Sequence, residues 1–307
     1  MARPSIGLAL GSGSARGWTH IGIIESLLEA GIEPDIICGT SMGSLVGAAY
    51  VADKLTELRQ WAEVVTWREI IGHLDPSLRR GGFIEGKQIV RFVRDLGVTG
   101  RIEDFAKPYA AIASDLNSGE EVRLTAGPID EALRASIALP GIFTPVRIDD
   151  KWLLDGGLVN PVPVSACREL GADIVIAVNL NGGRVGRRHN GAGLAGRARK
   201  NRTARKEFLD RIQKQMPATI RRQTALIMPK LLQSTAAGPG YFDVIANSIY
   251  IMQDQITRAR LAAEQPQVIL SPNLSDIGIL EFNRAKEAIS EGRACVARAL
   301  SDIRRHI

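Results

Sequence analysis

The sequence is poor in residues that many catalytic and structural devices require. It holds four histidines and three cysteines, and aromatics make up 5% of its 307 residues. Cys38, Cys167 and Cys295 are odd in number, scattered and mostly set in apolar segments. They argue against a disulfide framework and fit a reducing compartment, so the expected location is cytoplasmic. No signal peptide is visible, because the apolar run at residues 6–10 is short and glycine-rich sequence follows at once. The uncharged run at 36–52 falls just short of the ~20 residues that span a bilayer, and its glycines and hydroxyls suit a tight turn better. A chain of this length with 45% hydrophobic residues buries a large core. The sequence reads as a soluble protein.

Charge is concentrated in one place. Net charge is +6, yet the stretch from Arg184 to Lys206 alone carries nine Lys or Arg and no acid. Elsewhere acidic residues slightly outnumber basic ones. The stretch reads as a solvated loop or as a docking element for anionic headgroups, which attract at roughly 1 kcal/mol per nearby Lys or Arg. Nucleic acid would feel the same charge, but no interleaved aromatics are present to stack bases. Between the two binding readings the membrane is favoured, with no nucleic acid expected.

The organising stretch runs from Asp35 to Tyr50. An apolar run ending at Cys38 reads as a buried strand, and a small-residue helix follows from about Met42 to Ala52. Between them, Gly39-Thr40-Ser41-Met42-Gly43 matches the G-x-S-x-G nucleophile elbow. A serine on a strand-to-helix turn sits in strained backbone, and glycine at 39 and 43 relieves the crowding two residues either side. The helix also aims its positive end at charge developing beside Ser41. The competing reading is a Gly/Ser-rich turn before a helix.

Upstream, Arg3 to Leu10 reads as a first strand, followed by Gly11-Ser12-Gly13-Ser14-Ala15-Arg16-Gly17. A helix comes next, with Ile21, Ile24, Leu27 and Leu28 on one face and Gly31 as its stop. This βαβα opening implies a parallel sheet. The glycine loop fits a dinucleotide fingerprint poorly, since Arg16 stands where the third glycine belongs and no ribose-binding acid follows. It lacks the Gly-Lys-Ser/Thr ending of a P-loop. Two readings stand: an oxyanion hole built from amides near Gly13 and Ser14, or a purely structural turn.

Further on, Trp61 and Trp67 read as core or pocket wall, and His73 as a loop residue. Pro108 to Asp115 reads as a strand, Ile129 to Ile137 as a short helix, and Leu139 to Pro145 as a stiff apolar loop. Strands near Val146–Ile148 and Trp152–Leu154 lead into Asp155-Gly156-Gly157, and Ala172–Asn179 reads as another buried strand. Beyond it come a basic helical region (203–232) broken by Pro217 and Pro229, and a loop at 236–240. A helix from Val244 to Ala263, a late strand at Val268–Leu270 and a final helix from Glu281 to Arg304 close the chain. A catalytic triad would need a histidine after the acid. His189 sits in a Gly/Arg-rich loop and His306 beside the end of the sequence, while His20 rides a helix leading away from the elbow. Asp155, at a strand end before two glycines, is the better proton acceptor. With a reference pKa of ~3.9 it must gain from desolvation and from contact with the serine.

Three ordered motifs, Gly11–Gly17, Gly39–Gly43 and Asp155-Gly156-Gly157, resemble the patatin-like phospholipase family in its bacterial form. The stretches 134–145 and 157–163 resemble it too, so the likeness covers roughly residues 5–180. The resemblance implies a three-layer α/β/α fold with a mostly parallel sheet and hydrolysis of lipid acyl esters without metal or other cofactor. By position it makes Ser41 the nucleophile and Asp155 the base, with oxyanion amides from Gly13 and Ser14 and Arg16 shaping the loop. Ser12 and Ser14 depart from it, standing where the family commonly has glycine. The expected organisation is a core over residues 5–180 and a basic loop with a helical insertion over 181–240. Helices and a late strand over 241–307 complete the same domain. A catalytically silent lipid-binding protein of the same fold is the alternative.

Overall fold

The computed structural model describes residues 3–66, 69, 84–182, 241–278 and 281–307. Trp67, His73, the basic stretch with His189, the region holding Pro217 and Pro229, and the loop at 236–240 lie outside the described residues.

Strand β1 (Ile6–Leu10) is buried along its whole length, as its unbroken apolar run requires of a central parallel strand. The glycine loop and a 3₁₀ turn (Ser14–Trp18) lead into α1 (Thr19–Glu29). Then come β2 (Ile36–Thr40), α2 (Met42–Val51), α3 (Leu55–Val64) and α4 (Lys87–Asp95). The middle of the chain supplies β3 (Tyr109–Asp115), β4 (Glu121–Leu124), α5 (Ile129–Ser136) and the hairpin β5 (Val146–Ile148) and β6 (Lys151–Asp155). After these come α6 (Val164–Glu169), β7 (Ile174–Val178), α7 (Tyr241–Glu264), β8 (Val268–Leu270) and α8 (Ala285–His306). Among the described residues, no helix is long and apolar enough to cross a membrane.

The strands form one eight-stranded sheet in the order β5-β6-β3-β2-β1-β7-β8, with β4 also paired to β3. The pairs β3–β2, β2–β1, β1–β7 and β7–β8 are parallel, while β3–β4, β3–β6 and β5–β6 are antiparallel. Alternate residues feed two cores, as the pleat dictates. Leu8, Leu10, Ile37, Ala111, Ile176 and Val178 face α1, α2 and α8. Ala9, Cys38, Ile112, Val175 and Ala177 face α6. The α/β/α layering and mostly parallel sheet thus follow the sequence reading.

The pairing register has a consequence for the site. Ala111 and Ile112 of β3 are flanked by β2 on one side and β4 on the other. Ala113 and Ser114 are flanked by β4 and β6. Strands β2 and β6 therefore occupy the same edge of β3 one after the other, running toward each other. The last residue of β2, Thr40, lies opposite Ile112, and the last residue of β6, Asp155, lies opposite Ala113.

Some local readings shift. The first strand begins at Ile6, because Asp35 accepts from both the Arg3 guanidinium and the Ile6 amide at the strand's entry. Leu28 is 39% exposed, since one further residue carries it about 100° around the helix from the buried Leu27. Strand β4 was not foreseen, because Glu121-Val122-Arg123-Leu124 is an edge with only Leu124 buried.

Strand β8 buries Val268 and Leu270 and leaves Ile269 exposed. Leu270→Ala should cost about 2–5 kcal/mol in urea denaturation, and Ile269→Ala about 0.5 kcal/mol or less. Equal losses would contradict the placement of this strand.

Candidate active site

Ser41 stands between β2 and α2 with φ 57° and ψ −123°, a conformation that costs a non-glycine residue on the order of 1–3 kcal/mol. The surroundings hold it there. Its amide donates to the Ser136 hydroxyl at 3.0 Å, and that hydroxyl donates to the Ile112 carbonyl at 2.6 Å. The Ser41 carbonyl accepts from the Ser44 hydroxyl at 2.6 Å, and Thr40 donates its hydroxyl to the Asn160 carbonyl at 2.8 Å. The flanking glycines are spatial necessities. A Cβ at 39 would lie 2.4 Å from the Ser44 backbone, and one at 43 would lie 2.1 Å from the Leu10 carbonyl oxygen.

Asp155 arrives from the opposite direction along the same edge of β3. Its Oδ2 accepts the Ser41 hydroxyl at 2.6 Å, and its Oδ1 accepts the Gly157 amide at 2.7 Å. Its own carbonyl is fixed by the Ser114 hydroxyl at 2.8 Å. The side chain is buried, and burial pushes its pKa up to about 6 although both hydrogen bonds pull it down. A hydroxyl thus sits against a carboxylate whose affinity for a proton exceeds that of an ordinary aspartate.

The glycine loop lies beside this pair. A Cβ at Gly17 would lie 2.3 Å from Met42 Cβ, the residue after the serine. Gly11 donates its amide to Val178 and Ser12 donates to Pro161. The amides of Gly13 and Ser14 have no backbone acceptor among the described residues. Ser14 adopts φ 51°, a left-handed position. Several side chains hold the loop. Arg16 is wholly buried and donates Nε to the Ile277 carbonyl at 2.9 Å. Asn181 Nδ2 contacts the Ser12 carbonyl at 3.4 Å. His20 Nε2 lies 2.7 Å from the Gly11 carbonyl, and burial lowers its pKa to about 4. His20 therefore braces the loop as a neutral ring, and His306 is exposed at the far end of α8.

The structure thus brings Ser41 and Asp155 into contact and sets the loop of Gly11, Ser12, Gly13, Ser14, Arg16 and Gly17 beside the elbow. Gly156 is tucked under Ile112, where a Cβ would lie 2.3 Å from its carbonyl oxygen, and Gly157 caps the Asp155 carboxylate. Trp61 packs against the main core, its ring 6.0 Å from Trp18 and 4.1 Å from Phe92. Sequence reasoning missed Ser136 and Ser114, whose hydroxyls act through backbone carbonyls that only the fold brings near. It also missed Gln253, a polar residue on the buried side of α7. Among the described residues, no cluster of three His, Cys, Asp or Glu side chains is arranged to hold a metal ion.

A family model described as Patatin-like phospholipase matches residues 8–168. The chain is 34% identical to the uncharacterised NTE family protein Rv1063c of Mycobacterium tuberculosis, over 97% of this chain and 91% of that protein. It is 37% identical to the patatin-like phospholipase domain-containing protein ZK370.4 of Caenorhabditis elegans, over 57% of this chain and 14% of that one. Among solved structures it is similar to VipD from Legionella pneumophila, with TM-score 0.48 and 11% identity over 98% of this chain and 67% of that one.

The raised pKa of Asp155 makes a prediction about stability. Its folded value of about 6 lies above the ordinary 3.8, so the folded state holds this proton more tightly than the unfolded chain. Its ionisation then subtracts stability as pH rises from about 4 to 6, by about 3 kcal/mol in all. Asp155→Asn should therefore gain in relative stability between pH 4 and pH 8 in paired urea denaturations. A stability difference that stays constant across that range would contradict the burial argument.

Proposed function

The chain belongs to the patatin-like phospholipase family, a family of lipid acyl hydrolases, and from that premise we propose that it cleaves acyl esters of phospholipids or related lipids through a Ser41–Asp155 dyad. The observation that carries the reading is the 2.6 Å hydrogen bond from the Ser41 hydroxyl to the Asp155 carboxylate.

Asp155 takes the proton as Ser41 Oγ attacks the ester carbonyl. The carbonyl oxygen becomes an oxyanion, met by the amides of Gly13 and Ser14 and by the positive end of α2. Collapse of the tetrahedral intermediate expels the alcohol, which takes the proton back from Asp155, and leaves an acyl-serine. Asp155 then activates a water that attacks the acyl carbonyl, and Ser41 is restored. The backbone strain at Ser41 fixes the hydroxyl between carboxylate and substrate.

Residues 5–180 would form the catalytic core, and 181–240 an insertion carrying the basic stretch. Residues 241–307 would complete the same domain, in support of which β8 pairs with β7 and a Cβ at Gly292 of α8 would lie 2.2 Å from the Thr19 carbonyl oxygen of α1. The basic stretch would dock the enzyme on anionic membranes from the cytoplasmic side.

Ser41→Ala should abolish turnover of a soluble p-nitrophenyl ester, and Asp155→Asn should lower it by roughly 10³-fold or more. His306→Gln should leave it unchanged. Activity needs the ionised carboxylate, so kcat/KM should be half-maximal near pH 6, approach its full value about one pH unit higher and fall as pH drops below it. Folded Ser41→Ala protein with undiminished turnover would remove the dyad. A folded wild type that binds liposomes but hydrolyses neither soluble ester nor lipid would establish the silent lipid-binding alternative.

Neutralising the arginines at 184–206 should spare the soluble ester and lower turnover of anionic liposomes. The wild-type advantage should shrink with salt, since the Debye length falls from ~10 Å at 0.1 M to ~3 Å at 1 M. Equal loss on both substrates would place the stretch in folding or in the active site.

A further inference from the structure

Gln253 lies on α7, nearly a hundred residues beyond the Asp155 turn and outside the part of the chain that the family model matches. It is 3% exposed. A long amide side chain is rarely buried unless its donors and acceptor are used. Its Oε1 accepts the Ser12 hydroxyl at 3.3 Å, inside the glycine loop. Its Nε2 reaches the turn after Asp155, where a Cβ on Gly157 would lie 2.3 Å from it. The same point is 3.0 Å from Asp155 Oδ1. The Gln253 amide and the Asp155 carboxylate thus flank the place where any side chain at 157 would begin. Glycine at 157 admits the amide while its own N–H holds Oδ1 at 2.7 Å.

One side chain therefore touches two separate parts of the site: the loop that offers the Gly13 and Ser14 amides, and the turn that carries Asp155. We propose that Gln253 is a positioning residue that ties the oxyanion loop to the Asp155 turn, so that amides and carboxylate keep one spacing around the serine. This inference rests on the dyad reading above. The loop is anchored at its far side by Arg16 and His20, whereas Ser12 faces α7. The Asp155 carboxylate is held by Ser41 and by Gly157, and neither partner is charged. A bridge between the two segments costs little when built from one amide that is neutral at every pH. A carboxylate in its place would stand against Asp155 and raise its pKa further.

The test uses the full chain, a short-chain p-nitrophenyl ester and a fluorophosphonate probe. Gln253→Leu keeps the bulk, removes the hydrogen bond to Ser12 and takes the polar amide away from the Gly157 turn. It should lower kcat by roughly 10–100-fold with KM changed less than about threefold, and slow labelling in parallel, because it disturbs groups that act in the transition state. Gln253→Glu should move the acid limb of the kcat/KM profile upward by about one pH unit, an effect that a packing role would not produce. Ser12→Ala approaches the bridge from its other end and should lose part of the same kcat, with the double variant no worse than Gln253→Leu alone. Should Gln253→Leu fail to fold, the pH profile of Gln253→Glu and the kcat of Ser12→Ala decide. Ser41→Ala runs alongside. If it is inactive while the Gln253 and Ser12 variants keep wild-type kcat and pH profile, this inference falls and the dyad stands. If Ser41→Ala keeps its activity, the dyad falls first.

Discussion

Two strands that end head to head on one edge of β3 are the constraint from which the site follows. Strand β2 delivers Ser41 one residue past its pairing with Ile112, and β6 ends on Asp155 opposite Ala113. Consecutive pairing positions on one strand are separated by about 3.3 Å, so the hydroxyl and carboxylate meet without either side chain having to reach. The arrangement needs an antiparallel hairpin on a mostly parallel sheet, and the β5–β6 pair supplies it. Burial at this junction raises the Asp155 pKa and makes the carboxylate a stronger proton acceptor than an ordinary aspartate. The same burial costs stability, and so does the backbone at Ser41. The hydroxyls of Ser136, Ser44, Thr40 and Ser114 offset part of that cost by satisfying backbone groups around the junction.

The glycine loop shows a related division of labour. Its first two amides are spent on Val178 and Pro161, which fasten the loop to the sheet, and the next two have no backbone acceptor among the described residues. Arg16 contributes position, since its head group is wholly buried and bonded to the Ile277 carbonyl. A buried guanidinium is costly unless its donors are used. Binding it to a carbonyl of the C-terminal region makes the loop depend on residues far from the motif. His20, with its pKa held near 4, is kept neutral beside the Gly11 carbonyl and supports the loop from below.

Much of this was legible in the sequence because the decisive signals are local. The elbow is five consecutive residues whose Gly39 answers to the Ser44 backbone of the same turn, while Gly43 also makes room for the Leu10 carbonyl of β1. The alternating or unbroken apolar runs of β1, β2, β3 and β7 mark buried strands by composition alone. The choice of Asp155 over a histidine came from the poor settings of the four histidines, and its strand-end position is where the structure finds it. What stayed hidden depends on pairing between distant segments. Ser114, Ser136 and Gln253 carry no motif, and each matters through a carbonyl, an amide or a glycine brought near by the sheet. Strand β4 escaped because an edge strand with charged residues lacks the apolar pattern of a core strand. Leu28 was misplaced because the apolar stripe of α1 stops at Leu27, a difference of one residue in the helical phase.

The account's central claim is that the reacting atom is Ser41 Oγ, activated by a carboxylate. Its most direct test is to incubate the wild-type chain with a p-nitrophenyl ester, quench in acid during turnover, digest, and locate the retained acyl group by fragment-ion mass spectrometry. The account predicts one acyl group, on Ser41, whose occupancy rises when the quench follows within the first turnover. An acyl group found on another residue, or steady turnover with no acyl-protein at any quench time, would contradict it.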